Sequence, residues 1–187
     1  MSAGWMLLKK FVASPSTIGS VMPSSRFLIR TMMSGIDWSR THRIAELGAG
    51  TGVITDAIDT RRHPDSSFLC FERDPMMRRD LARRYPGVDV QNDAFTLCGR
   101  LAEVGVTGLD CVVSGLPFAN FTLSCQKRLL DDIHHCLAPG GMFIAFQYTR
   151  QIQPYLVSVY SDLDSQFVWA NIPPAFVFIC RKPTTPA

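Results

Sequence analysis

The sequence predicts an α/β protein built on a doubly wound, mostly parallel sheet, and three observations support this fold class. From residue 43 onward, short apolar or β-branched runs alternate with stretches of helical periodicity, a pattern typical of right-handed β-α-β crossovers. A glycine-rich segment follows the first apolar run, where a strand passes into a helix. The last two runs flank Ile172-Pro173-Pro174, which predicts a closing antiparallel hairpin.

Seven strands and at least four helices follow in order from this pattern, and together they predict a Rossmann-like sheet. The strands are predicted at 43–47, 67–71, 88–92, 109–114, 142–148, 166–170 and 175–180. The helices between them are predicted at 53–60, 75–84, 97–103 and 122–136. Residues 1–43 precede the first strand, so we expect a helical arm that covers the active site, with helices at 4–13 and from Ser24 or Ser25 to about Met33. The domain proper is expected to span residues 44–187.

Composition limits the classes of protein to consider. A chain of 187 residues that is 47% hydrophobic and 19% charged fits one globular domain with a sizeable core. The sequence contains no apolar run long enough for a membrane span or a signal-peptide core, so we expect a cytoplasmic location. The net charge of +3 is uneven, because residues 1–43 hold six basic side chains and one acidic side chain. This arm is predicted to meet an anionic surface, either phospholipid or nucleic acid.

Cysteine and histidine spacing gives no sign of a metal site. The six cysteines form no CxxC pair and mostly lie in apolar surroundings, so we expect reduced thiols. His134 and His135 are adjacent, and neighbouring residues on a helix point in different directions. The sequence therefore predicts no metal.

The strongest motif lies at the end of the first predicted strand, where an acid is followed by three alternating glycines. Its residues are Glu46, Gly48, Ala49, Gly50 and Gly52. A dinucleotide fingerprint would place its third glycine at position 53, which is valine, and no Gly-Lys-Ser or Gly-Lys-Thr follows for a Walker loop. Acids also end the next two strands, as Glu72-Arg73 and as Asp93-Ala94.

These three strand ends resemble class I S-adenosylmethionine-dependent methyltransferases. The resemblance implies that the glycine loop approaches S-adenosylmethionine closely and that Glu72, with Arg73 beside it, lies at the ribose hydroxyls. It also implies that Asp93 meets the adenine amino group while the backbone amide of Ala94 faces a ring nitrogen. Taken singly, a glycine triplet can form a plain turn, and either acid can be a solvated surface charge.

The fourth strand ends in a motif that resembles amine-directed methyltransferases. Its residues are Ser114, Gly115, Leu116, Pro117 and Phe118, and Tyr148 ends the fifth strand at the same crevice. This resemblance implies that carbonyls and a polar side chain hold the amine, and that aromatic rings, with Phe121 as a further candidate, stabilise the developing cation. A proline-terminated strand and ordinary core packing are the plain alternatives.

The arm motif Pro15 to Arg26, with the fourth-strand motif and Phe146-Gln147-Tyr148, resembles bacterial phospholipid N-methyltransferases. The resemblance implies methylation of phosphatidylethanolamine towards phosphatidylcholine at the inner membrane, by a peripherally associated enzyme. The oligomeric state stays open, with a monomer favoured. Ser24, Ser25 and Arg26 are predicted to bind the lipid phosphate, with helix capping as the alternative. The first helix is predicted to lie on the membrane through one set of side chains, with packing on the sheet as the alternative. That set is Trp5, Leu8, Lys9, Lys10 and Val12.

The sequence leaves two other functions open. One is N-methylation of an RNA adenine or a protein amine, for which the basic arm would contact phosphates. RNA adenine dimethylases carry a further helical domain without a counterpart in this sequence, so we expect no nucleic-acid partner. The other is a non-catalytic protein that binds S-adenosylmethionine and a membrane but transfers nothing.

Overall fold

The computed structural model describes residues 25–184. The strands are β1 (Arg43–Leu47), β2 (Ser67–Phe71), β3 (Asp89–Gln91), β4 (Leu109–Ser114), β5 (Leu137–Gln147), β6 (Asp162–Val168) and β7 (Ala175–Arg181). The helices are α1 (Arg26–Met33), α2 (Val53–Asp59), α3 (Pro75–Arg84), α4 (Leu97–Glu103), α5 (Leu123–Cys136) and α6 (Gln153–Val159). Short 3-10 turns occupy Ala94–Thr96 and Phe118–Asn120.

All seven strands form one sheet in the order β3-β2-β1-β4-β5-β7-β6. The first five strands are parallel, and β7 is antiparallel to both β5 and β6. This confirms the predicted fold class, including the closing hairpin. The chain order reverses between β1 and β4, and in open α/β sheets ligands bind at the carboxyl ends of the strands beside this reversal. We call this side of the sheet the carboxyl edge.

Helices cover both faces of the sheet, and each face has its own core. One core joins α1, α2 and α3 to the sheet through residues such as Leu28, Ile58 and Leu81. The other core joins α4, α5 and α6 through residues such as Leu101 and Ile133. The central strands are apolar on both faces, which explains the near-continuous apolar runs read in the sequence.

Side-chain caps fix where several helices begin. Asp74 accepts hydrogen bonds from the amides of Met76 and Met77 at the start of α3, and Pro75 follows it in the first turn. Thr122 caps α5 by accepting from the Cys125 amide. These caps place the N-termini of α3 and α5 at the carboxyl edge, immediately after the loops that follow β2 and β4.

The structure corrects three predictions along the C-terminal half. Strand β5 begins at Leu137, five residues before the predicted start, because Leu137 already pairs with Leu109 across a register shift. Helix α6 was not predicted, since a proline and β-branched residues weaken its helical pattern. Strand β6 is Asp162–Val168 and not 166–170; its exposed acidic positions are typical of a protected edge strand.

One cysteine pair also differs from the expectation. Cys98 of α4 and Cys136 at the end of α5 pair as a disulfide, with Cα atoms 6.1 Å apart. The expectation of six reduced thiols is therefore wrong for this pair, because the packing of α4 beside α5 joins residues that are distant in sequence. Cys70, Cys111 and Cys180 are buried free thiols, as expected.

The part of the predicted arm within residues 25–43 packs closely on the sheet. Helix α1 buries Leu28, Ile29, Met32 and Met33 in the core that it shares with α2. The predicted helix at 4–13, its membrane residues and Ser24 lie outside the described residues, so the division into arm and domain stays a prediction. Between residues 25 and 184, no helix is long and apolar enough to cross a membrane. In the same range, no group of three metal-binding side chains lies together.

Candidate active site

The loop that follows β1 is held in a conformation that glycine alone adopts easily. Gly48, Gly50 and Gly52 have positive φ angles of 77°, 56° and 84°. The amides of Gly48 and Ala49 donate to the Phe71 carbonyl at 2.8 and 3.2 Å, which anchors the loop to β2. A Cβ atom added at Gly50 would meet no atom within 4 Å. The loop therefore leaves open space beside Gly50, where a ligand can approach the backbone.

Glu72, at the end of β2, lies directly against this loop. Its Oε2 accepts a hydrogen bond from the Gly50 amide at 2.7 Å, and its Oε1 accepts one from the Asp74 amide at 2.8 Å. Each carboxylate oxygen can accept about two hydrogen bonds, so both oxygens keep capacity for the two hydroxyls of a ribose. The neighbouring Arg73 is exposed, and its carbonyl accepts from Arg78, which also binds the carbonyl of Glu72.

Glu46, the acid of the glycine motif, is buried beneath the loop. Its Oε2 accepts from the Thr55 hydroxyl of α2 at 2.7 Å, whereas its Oε1 has no hydrogen-bond partner among the described residues. Burial raises the pKa of Glu46 to about 7, although the hydrogen bond from Thr55 opposes the shift. Glu46 therefore ties β1 to α2 and keeps one buried acceptor oxygen unused; its predicted contact with the cofactor stays a prediction.

Asp93 and Ala94 occupy the corresponding position after β3. Asp93 is exposed, and its Oδ1 caps the following 3-10 turn by accepting from the Phe95 amide at 3.0 Å. Ala94 is buried at the first position of that turn. Asp93 therefore acts as a cap through Oδ1, and its Oδ2 stays available for another contact. Because β3, β2 and β1 are neighbours in the sheet, the predicted cofactor residues at their carboxyl ends lie side by side.

The loop after β4 touches the glycine loop through its backbone. The Gly115 amide donates to the Leu47 carbonyl at 2.9 Å, and a Cβ atom at Gly115 would come within 2.8 Å of the Gly48 carbonyl oxygen. A Cβ atom at Gly48 would in turn lie 2.7 Å from Leu116 Cδ2. Each glycine is thus required by the other loop, which positions the predicted acceptor motif next to the predicted cofactor loop.

Within that motif, Ser114 and Phe118 face inward. Ser114 is fully buried, and its hydroxyl accepts from the Leu116 amide at 3.2 Å, so it stabilises the loop itself. Phe118 is fully buried and packs edge-on against Phe121, which favours the core alternative for its ring, whereas Pro117 is exposed.

Tyr148 and Phe121 are only half-buried. Tyr148 packs edge-on against Phe146 at the end of β5, and burial raises the pKa of its phenol. Of the three aromatic candidates for the acceptor site, Tyr148 and Phe121 therefore keep exposed surface and Phe118 does not.

Gln147 is a site residue that sequence reasoning missed as a separate candidate. Its side chain is buried at the end of β5, and its Nε2 donates to the Leu116 carbonyl at 2.8 Å. This bond fixes the loop after β4 to the end of β5. A buried polar residue at the end of an apolar strand is the signal that could have identified it.

Arg84 of α3 was also missed. Its guanidinium donates to the Thr51 carbonyl at 2.6 Å and so supports the glycine loop from the side of α3. The contact joins residues 33 positions apart in the sequence. No local motif predicts it.

Ser25 and Arg26 lie at the start of α1, beside the connection between β6 and β7. Ser25 caps the helix by accepting from the Leu28 amide at 3.2 Å, and its own amide donates to Asn171 Oδ1 at 2.9 Å. The capping alternative is therefore present in the structure. Because β7 is antiparallel to β5, this connection and the start of α1 lie at the carboxyl edge, on the same side as the glycine loop.

Comparison with known proteins identifies the family. A protein of Singulisphaera acidiphila named ornithine lipid N-methyltransferase is 34% identical to this chain over 182 residues, which are 95% of each chain. This chain belongs to the family of that methyltransferase. No protein-family model matches this chain. The protein is an S-adenosylmethionine-dependent methyltransferase of class I, as its motifs predict.

Solved structures agree with this fold at low sequence identity. Precorrin-6y C5,15-methyltransferase from Geobacter metallireducens has a TM-score of 0.65 and 13% identity, and the match covers 90% of this protein and 95% of the precorrin enzyme. TrmN from Thermus thermophilus has a TM-score of 0.65 and 17% identity, and the match covers 94% of this protein and 53% of TrmN. A further match is an S-adenosylmethionine-dependent O-methyltransferase from Thermotoga maritima, with a TM-score of 0.61 and 13% identity over 95% and 72% of the two chains. At these identities the matches demonstrate a shared fold.

S-adenosylmethionine is the cofactor of the methyltransferase, and the residues at the carboxyl edge suit it. The open space beside Gly50 allows close approach to the backbone, and Glu72 presents acceptor oxygens next to that space. The Glu46 Oε1 is buried without a hydrogen-bond partner among the described residues, and its contact with the cofactor stays a prediction. Gly50 and Glu72, which follow β1 and β2, therefore mark the region that suits the cofactor.

Proposed function

We propose that the methyltransferase transfers methyl groups to the amine nitrogen of a membrane lipid head group. The observation that carries this proposal is the 34% identity to a protein named ornithine lipid N-methyltransferase, which extends over 95% of both chains. A similarity of this length includes both the cofactor loops and the acceptor loop after β4. It favours a lipid amine over the amines of RNA or protein.

Two head groups fit the proposal. The name of the relative favours an ornithine lipid, whereas the motifs from Pro15 to Arg26 and from Ser114 to Phe118 resemble phosphatidylethanolamine N-methyltransferases. Both lipids present a primary amine close to a charged group at the membrane surface. We infer that the acceptor is the amine of one of these two lipids.

The chemistry follows from alignment. Bound S-adenosylmethionine supplies a methyl group on a sulfonium, which a neutral amine can attack in line. The mutual contact of Gly48 and Gly115 holds the cofactor loop and the acceptor loop at a fixed distance, which is the kind of positioning that accelerates a two-reactant step. Gln147 fixes the acceptor loop from the third side.

An acceptor amine at this site starts as an ammonium ion and must lose a proton before attack. Tyr148 has a raised phenol pKa, so it stays neutral and can accept or donate a hydrogen bond. Its ring face, with that of Phe121, can stabilise the nitrogen as it becomes cationic, by about 0.5 to 2 kcal/mol per contact. Water is the simplest acceptor for the released proton.

The start of α1 is a suitable place for the lipid phosphate. Arg26 is exposed at the first position of the helix, and the helix N-terminus favours an anion. We therefore propose that Ser25 and Arg26 contact the anionic group of the acceptor lipid, which is a phosphate in phosphatidylethanolamine and a carboxylate in an ornithine lipid, or the phosphates of neighbouring lipids. A peripheral location on the cytoplasmic side of the inner membrane is part of the same proposal.

The test is methyl transfer from radiolabelled S-adenosylmethionine to vesicles that contain phosphatidylethanolamine or an ornithine lipid, with total RNA and bulk protein as other acceptors. Glu72→Ala removes the acceptor oxygens at the glycine loop, and Glu103→Ala, an exposed glutamate at the end of α4, is the matched control. We expect label in one of the lipids, lost with Glu72→Ala and retained with Glu103→Ala. Label in RNA or protein, or no transfer at all, contradicts the lipid proposal.

A further inference from the structure

The connection between β6 and β7 exposes large apolar side chains to solvent. We call residues 169–174 the hairpin tip. Trp169 is 78% exposed and Ile172 is 70% exposed, although side chains of this size are usually buried. The tip lies at the carboxyl edge, because Gln147 at the end of β5 pairs with Phe176 near the start of β7.

Other exposed apolar residues share this edge. Seven large apolar side chains are exposed among the described residues, and five of them lie at the carboxyl edge. Besides the two at the tip, Met76 and Leu123 lie in the first turns of α3 and α5, and Phe27 lies in the first turn of α1. The surplus of apolar surface is therefore on the side of the molecule that also holds the cofactor loops.

The hairpin tip is held in place and is not a loose loop. The Trp169 ring packs edge-on against the Phe167 ring, with 4.4 Å between the ring centroids. The Phe167 ring in turn packs against the Phe176 ring, with 4.7 Å between the centroids. Asn171 Nδ2 donates to the Pro173 carbonyl at 2.7 Å, while its Oδ1 accepts from the Ser25 amide at 2.9 Å. The exposure of the two apolar side chains is therefore fixed by well-packed neighbours.

Charge around the tip is complementary to an anionic surface. Residues 165–180 contain no charged side chain, so the hairpin itself contributes no acid next to the tip. The Arg150 guanidinium lies over the Phe176 ring, 4.6 Å from its centroid, and Arg26 follows Ser25 on the other side of the tip. The tip is therefore an apolar segment that contains a Trp and has two cations near it, which is the composition of segments that lie in the interface of a bilayer.

We propose that the hairpin tip is a membrane-docking site, in which Trp169 and Ile172 enter the head-group region of a bilayer and Arg150 meets lipid phosphates. The inference rests on the proposed function, because a lipid acceptor gives the enzyme a reason to dock. With the tip in the bilayer, the carboxyl edge faces the membrane. A head-group amine then reaches the loop after β4 without leaving the lipid layer.

The experiment uses the full chain and compares wild type with Trp169→Ala/Ile172→Ser. Val157→Ser is the matched control, because Val157 is 60% exposed on α6 and lies away from the tip. Binding is measured by co-sedimentation with vesicles of phosphatidylethanolamine and phosphatidylglycerol. Depth is measured by quenching of tryptophan fluorescence with brominated lipid, with Trp169→Phe as the reference. Cofactor affinity and methyl transfer to detergent-dispersed lipid report whether the active site is intact.

We expect the double variant to lose roughly tenfold to a hundredfold in vesicle partitioning, with cofactor affinity and transfer to dispersed lipid unchanged. Val157→Ser should bind vesicles like wild type. Trp169→Phe should lose the part of the quenching that Trp169 contributes, whereas any quenching of Trp5 and Trp38 should remain. Arg150→Gln should weaken binding to anionic vesicles more than binding to neutral ones.

Unchanged vesicle binding in the double variant overturns the docking site. The proposal is also overturned if the double variant binds vesicles like wild type but loses self-association, because the tip is then a contact between copies of the chain. If wild type docks through the tip but methylates no lipid in either form, the docking site stands and the proposed function fails. The two results are therefore distinguishable.

Discussion

Replacing Glu46 with glutamine should make the methyltransferase more stable at alkaline pH and leave it nearly unchanged at acidic pH. The wild-type carboxyl is fully buried, and burial raises its pKa from an ordinary value of 4.5 to about 7. The folded state therefore binds this proton more tightly than the unfolded state does. The stability that Glu46 contributes is present below pH 4.5 and is lost as the pH rises through 7.

The size of the effect follows from the shift. A difference between pKa values of 4.5 and about 7 corresponds to about 3 kcal/mol in the free energy of unfolding once the pH is well above 7. Glutamine resembles the protonated acid, because its side-chain carbonyl can accept the hydrogen bond that the Thr55 hydroxyl donates to Oε2 in wild type. The glutamine variant should therefore lack this pH-dependent loss.

Urea unfolding of wild type and Glu46→Gln at pH 5 and at pH 8.5 measures the difference. The difference in free energy of unfolding should shift by about 2.5 kcal/mol in favour of glutamine between pH 5 and pH 8.5, because part of the effect is already present at pH 5. Thr55→Val removes the hydrogen bond that lowers this pKa, so it should enlarge the wild-type pH dependence, and Thr55→Ser should not. A difference between wild type and Glu46→Gln that stays constant with pH refutes the reasoning.

Three further predictions concern the loops and the opposite edge of the sheet. Gly50→Ala forces a left-handed φ on alanine and fills the open space, so calorimetry should show weaker cofactor binding by a protein that still folds. Gly48→Ala should weaken cofactor binding and, because its Cβ atom collides with Leu116, should lower the melting temperature as well. Wild-type affinity in Gly50→Ala contradicts this assignment of the space. Gln147→Leu should lower kcat by roughly tenfold to a hundredfold with the cofactor dissociation constant unchanged, because only the acceptor loop loses its support; an equal loss of cofactor affinity argues against a positioning role. Asp110→Asn should lower the free energy of unfolding by about 1 to 3 kcal/mol, because Asp110 accepts hydrogen bonds from the amides of His42 and Arg43 and from the Arg43 side chain. Cofactor binding should not change, and reduced cofactor affinity would contradict a purely structural role for Asp110.

The parts of the structure that the sequence predicted correctly depend on local patterns. The parallel strands are buried on both faces, so each appears as a continuous apolar run, and the left-handed turns after β1 require glycine at fixed positions. The positions of Glu72 and Asp93 after β2 and β3 could be predicted because a strand end is visible in the sequence, whereas their roles in cofactor binding stay predictions. Their position at the same edge then follows from the parallel order of the strands.

The parts that the sequence did not predict depend on contacts across the fold. Arg84 supports the Thr51 carbonyl from another helix, and Cys98 meets Cys136 only because α4 packs beside α5. Strand β6 was misplaced because its exposed acids lower its strand propensity, although they suit an edge strand. Phe118 was assigned to the acceptor site from its motif, but its burial depends on how the following 3-10 turn packs.

The two edges of the sheet divide stability from function. At the amino edge, Arg43 and Asp110 join β1 to β4; partial burial opposes ionisation of Asp110, but its hydrogen bonds with Arg43 and the His42 amide prevail and lower its pKa. At the carboxyl edge, the same two strands end in loops whose backbones approach closely at Gly48 and Gly115, with the Leu116 side chain packed against Gly48. A Cβ atom at either glycine would collide with the other loop, so this spacing depends on glycine. The same pair of strands is therefore held by an ion pair at the amino edge and by close loop packing at the carboxyl edge.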